Sequence, residues 1–139
     1  MKLTLFGVEE ANRMASEIRP SLERLVQSKR EFDRLQRRVE VLSLAAAGAS
    51  PDNPDARELR QIVQRLNHLG EQMRKGILAI EHRGPLVKDL ERGLVDFYTI
   101  AGDRLVFLCW QLGESEVAHW HTLEGGFANR QALHRSEQE

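Results

Sequence analysis

The stretch Gly93-Leu94-Val95-Asp96-Phe97-Tyr98-Thr99-Ile100, followed by Ala101-Gly102-Asp103-Arg104 and then Leu105-Val106-Phe107-Leu108-Cys109-Trp110-Gln111-Leu112, decides the architecture. Both arms are rich in β-branched and aromatic residues, and Gly102-Asp103 suits a two-residue hairpin turn of type I′ or II′. With Ala101 paired to Arg104, Asp96 falls directly across from Cys109, and directly paired residues share a sheet face. Leu94, Tyr98 and Phe107 join them there. The opposite face carries Val95, Phe97, Val106, Leu108, Trp110 and Leu112, none of them ionisable, and is expected to pack on the rest of the protein.

Downstream, Gly113-Glu114-Ser115-Glu116 turns the chain into a third strand, Val117–His121. His119 and His121 are two apart and point the same way. A three-residue loop, Glu114-Ser115-Glu116, pairs Gly113 with Val117, Trp110 with Trp120 and Cys109 with His121. A two-residue loop would bury both imidazoles beside Leu108 and Trp110 at a cost of several kcal/mol, so the longer loop is preferred. The meander is expected over about 93–122, with Leu3, Leu5 and Phe6 as an added edge strand. Gly125-Gly126 ends it, and the polar tail from Gln131 to Glu139 is expected to fray.

Upstream, the period changes from 2 to 3.6. Gly7 caps a short helix, Val8 to about Ile18, with Glu9 and Glu10 in its first turn. Pro20 restricts Arg19 and is expected to open a second helix. Leu22, Leu25, Phe32, Val39 and Leu42 form an apolar face to Ala47, where Gly48 stops the helix. After Ser50-Pro51-Asp52-Asn53-Pro54, Asn53 caps a long helix whose Leu59, Ile62, Leu66, Leu69, Met73, Gly76 and Ile80 make a coiled-coil-like heptad seam. The long helices fold back as an antiparallel hairpin with arms of roughly 40 Å. The fold class is therefore α+β, a helical part over about 8–83 and a small antiparallel meander of three to four strands, in one domain of 139 residues.

Composition narrows the function. Twenty Lys/Arg against twenty-one Asp/Glu give a net charge of −1, which argues against nucleic acid or an anionic membrane as partner. A single cysteine rules out an intrachain disulfide and a Cys₄ zinc site. No apolar run reaches the roughly 18 residues that span a bilayer. The opening Met1-Lys2-Leu3-Thr4-Leu5-Phe6 meets charge too early for a signal peptide, so a cytoplasmic protein is expected.

Two uses of this framework stand side by side. The overlong hairpin suggests self-association into a homodimer through Val26, Leu35, Val63 and Ile77. Alternatively, Asp96, Cys109, His119 and His121 suit zinc or another divalent metal, with Glu114, Glu116 or His82 as additions. The same residues could serve as an Asp–His pair activating a thiol, or simply as a buried cysteine beside an aspartate that ties down the backbone or Arg130. His68 and the Arg30, Arg34, Arg37, Arg38 stripe read as solvated helix surface. Glu91, in Lys88-Asp89-Leu90-Glu91-Arg92, could be a functional carboxylate, though local ion pairing accounts for it as well.

The chain also resembles the small bacterial proteins grouped as domain of unknown function 2203. The likeness rests on Phe6-Gly7-Val8-Glu9-Glu10-Ala11-Asn12, the segment from Lys88 to Phe97, Leu108-Cys109-Trp110, Leu112-Gly113-Glu114, Trp120-His121 and Gly126-Phe127-Ala128-Asn129-Arg130. It implies that Asp96, Cys109, Glu114, His121 and Arg130 occupy motif positions; Glu91, Trp110 and Trp120 stand beside them as further site candidates. It implies no reaction.

Overall fold

In a computed structural model that describes residues 3–133, the hairpin strands β2 (Leu94–Ala101) and β3 (Arg104–Gln111) form the centre of a five-stranded antiparallel sheet. Their register runs from Ala101 opposite Arg104 to Leu94 opposite Gln111, with Asp96 across from Cys109 as the turn chemistry requires. Gly102 supplies the positive φ of that turn, 65°. Gly93, just before β2, also has a positive φ, 66°, and a Cβ there would lie 2.7 Å from the Cβ of Leu112. Only glycine fits that position.

The sheet is wider than the expected meander. β1 (Leu86–Asp89) pairs with the start of β2, and β4 (His119–His121) pairs with β3. β5 (Gln131–Ala132) adds to β4 at residues expected to belong to a frayed tail. The rest of that tail, 134–139, lies outside the described residues. The N-terminal strand does not form. Leu3 and Leu5 are exposed, and only Phe6 N–H reaches the sheet, donating to Tyr98 O at 2.7 Å. Tyr98 lies beyond the end of β1 on the same side of β2, so Phe6 takes up a carbonyl that β1 is too short to pair.

The long helices are α1 (Val8–Ala45) and α2 (Pro54–His82). Asn53 caps α2, its Oδ1 accepting from Asp55 and Ala56 N–H, with Pro54 at the first position as expected. α1 departs from expectation, because it runs unbroken through Pro20. Ala11, Ala15, Ile18, Leu22 and Leu25 form one buried stripe across the proline, while Ser16, whose carbonyl loses its partner, and Pro20 itself are exposed. Water can satisfy that carbonyl, and burial of the stripe holds both halves in one helix.

The stripe packs with Met73 and Ile80 of α2 and with Val95, Phe97, Leu108 and Trp110 of the sheet, the face expected to be covered. Beyond Leu25 the two helices run on with only each other to pack against over much of their length. There Leu42 and Leu69 are buried, but Leu35, Val39, Ile62 and Leu66 are only half-buried. Two bidentate ion pairs join the arms across this stretch, Arg38 to Glu58 and Arg65 to Glu31, all at 3.0–3.2 Å. Val26, expected to be exposed, is buried, and Ile77 packs against the core; of the four expected outward residues only Val63 is exposed.

Candidate metal centre

Asp96, Cys109 and His121 meet on the sheet face that points away from the helices. All three are buried, at 3%, 1% and 3% exposure. The expected pairing of His121 with Cys109 is off by two residues: Cys109 lies across from His119, and His121 from Phe107. Residues 112–118 spend themselves elsewhere. Glu114 takes the Gln111 N–H on its side chain at 2.7 Å, and its carbonyl accepts from Trp110 Nε1 at 3.1 Å. Val117, expected in the strand, turns into the helical core at 1% exposure, its N–H donated to Asn12 Oδ1 of α1 at 2.7 Å. Because the slip is even, the side chains stay on the expected face. His121 therefore still reaches Asp96.

One ligand atom from each of these three side chains lies within 4.8 Å of the others, and the rows of β2, β3 and β4 each supply one. His121 Nδ1 is 2.7 Å from the carbonyl of Thr122, which can only accept, so Nδ1 carries a proton. Nε2 is then turned to the Asp96 carboxylate at 3.2 Å. A neutral ring would aim a lone pair at that carboxylate. Either a second proton or a cation between the two resolves the conflict, and a backbone carbonyl orienting the far nitrogen is the usual support of a metal-ligating histidine. Phe107 packs on the ring, centroids 5.4 Å apart.

Cys109 is not poised as a nucleophile. Burial, and secondarily the charge of Asp96, push its thiol up to about 12, with Arg130 pulling weakly the other way. The thiolate is the reactive form, and here it is suppressed unless a cation replaces the proton.

The remaining candidates divide into a supporting group and bystanders. Arg130 contacts both Glu114 oxygens at 2.9 and 3.0 Å, His119 Nδ1 at 2.7 Å and, at 3.5 Å, the carbonyl of Cys109. Glu114 and His119 are thereby engaged beside the three-residue group rather than in it. Arg130 also stacks on Phe127, 4.9 Å from its centroid, and this fixes the segment after β4 over the site. Trp110 is fully buried on the helix side of the sheet, and Trp120, across from Leu108, is on that side too. Glu91 is exposed in the β1–β2 turn, where its N–H binds Asp89. His68, His82 and Glu116 are exposed.

A cavity of about 150 Å³ opens on Asp96, Cys109 and His121, walled by Lys88, Leu94, Leu123, Glu124 and Phe127. Leu123 and Glu124 lie in no motif of the sequence, because the chain reaches the site only by folding back after β4. A larger groove, about 430 Å³, lies on the other face near Val8, Val106 and Trp120 and gathers no comparable set of ligating groups among the described residues.

The family model described as "Uncharacterized conserved protein (DUF2203)" matches residues 4–133. The chain belongs to the DUF2203 family. No curated protein and no solved structure matches it. Membership spans every element of the fold and both halves of the site, from Lys88 to Arg130. Among the described residues no helix is long and apolar enough to cross a membrane.

Proposed function

We propose that this DUF2203 protein binds a divalent transition metal of the zinc type through Asp96 Oδ, Cys109 Sγ and His121 Nε2. The observation that carries the reading is the hydrogen-bond arithmetic at His121, whose Nδ1 is committed to Thr122 O while Nε2 faces a carboxylate beside a buried thiol. A cation at their centre gives each donor the charge state its surroundings call for, and a nitrogen, sulfur and oxygen set suits zinc. Elemental analysis of untagged protein tests it. The expected result is close to one metal per chain, lost in Cys109→Ala and in His121→Ala. Added zinc at about a hundred times its dissociation constant should stabilise the metal-free protein by about 2.7 kcal/mol, a rise in Tm of several degrees. Metal-free protein whose melting ignores zinc would overturn the reading.

A second reading, self-association through the helical hairpin, is supported by the half-buried seam of Leu35, Val39, Ile62 and Leu66 and by Val41, Leu44 and Val63, which are 56%, 82% and 41% exposed. Two helices alone cannot enclose such a seam, and a second hairpin can. Light scattering on the eluting protein should then give twice the chain mass. A monomer at all concentrations would end this reading.

A further inference from the structure

Three protein donors leave a four-coordinate ion one position short. The three come from adjacent strands on one face, so the vacant position points into the 150 Å³ cavity above them. A cavity of that volume takes a molecule of about six heavy atoms. Its charge is legible. A divalent ion with the Asp96 carboxylate and the Cys109 thiolate sums to zero, which leaves Lys88 as the positive group on the wall. Lys88 forms no ion pair among the described residues. Its ammonium sits over Phe107, 4.6 Å from the ring centroid, and Phe107 is the ring that packs on His121. Leu94, Leu123 and Phe127 supply the apolar part of a wall that is otherwise polar, and Lys88 itself is exposed at its edge.

Resting on the metal reading above, we infer that the site takes a small monoanion as an exchangeable fourth ligand, a carboxylate of a few atoms or an ion of similar size, with Lys88 as its counter-charge. Glu124, exposed at the cavity wall, sets the opposite sign beside it. The two charges cancel in sum, but the Lys88 ammonium is the one held against the ring that packs on His121.

Cobalt(II) in place of the native metal, with sodium azide as the probe, separates this inference from the one beneath it. The thiolate-to-cobalt charge-transfer band reports whether Cys109 ligates, and the visible ligand-field bands report the fourth position. Azide is expected to change the visible bands saturably while the charge-transfer band persists. Lys88→Gln should weaken azide about tenfold, Lys88→Arg should hold it within a few fold, and Glu124→Gln should tighten it a few fold. If the charge-transfer band forms but azide leaves the visible bands unmoved, or binds Lys88→Gln as it binds the parent, the anion site is refuted and the metal site stands. If no charge-transfer band forms, both fall.

Discussion

At the scale of single residues, Cys109 shows most plainly what burial does to chemistry. The unfolded thiol ionises near 9 and the folded one near 12, so the folded state keeps a proton that the unfolded chain releases between those values. The stability due to this thiol is complete below pH 9 and drains as pH rises towards 12, a loss of a few kcal/mol in all. Denaturant melts of metal-free protein at pH 8, 9 and 10 should show the decline, and Cys109→Ala should show a flatter one. By the same account native Cys109 resists iodoacetamide at pH 8, while denatured chain reacts at once. Pro20 offers a second test. It sits exposed inside α1, so Pro20→Ala restores a hydrogen bond to the Ser16 carbonyl with no side chain to accommodate. Part of the helix gain of about 3 kcal/mol is offset by a more flexible unfolded chain, and a net stabilisation of about 1–2 kcal/mol by urea denaturation is expected.

Among the elements, the β2–β3 hairpin was readable from its own residues, because a two-residue turn fixes every pair behind it. The heptads of α2 and its Asn53–Pro54 start were readable for the same reason, that the causes are local. β4 was readable only in parity. Its register depends on Asn12, 105 positions away, drawing the Val117 N–H into the helical layer, and no local pattern contains that bond. β1 and β5 are short and mixed in polarity, so neither carries a period long enough to recognise. The unbroken α1 is a case of tertiary burial outweighing a local breaker. The hairpin arms make their own prediction. Glu31 is held below the ordinary carboxylate value chiefly by its hydrogen bond from Arg65, and Glu58 likewise by Arg38. Depressed folded values mean that these pairs stabilise above about pH 4.5 and fade as the pH falls through the folded values. Both pairs are exposed, so the effect is small. The slope of Tm between pH 6 and 3 should lessen in Glu31→Gln/Glu58→Gln and in about 0.5 M salt, where exposed charges are screened.

On the scale of the whole molecule, the sheet divides two tasks between its faces. One face is spent on the helices, and the other is roofed by the segment from Thr122 to Arg130. Arg130 is the fastening, since it ties the end of that segment to Glu114, His119 and the Cys109 carbonyl and stacks on Phe127. Arg130→Met should therefore leave the helical circular dichroism intact, cost about 1–3 kcal/mol through the lost charge-assisted bonds to Glu114, which keeps only the Gln111 N–H, and make Cys109 alkylable under native conditions. A cysteine that stays protected in that variant would show that the segment holds its place without the arginine.

That roof is drawn from the last described stretch of the chain, while the floor beneath it begins at β2. The enclosure of Asp96, Cys109 and His121 is completed only by residues that follow all three along the chain, so a change between Thr122 and Arg130 acts on the site without touching any of the three side chains.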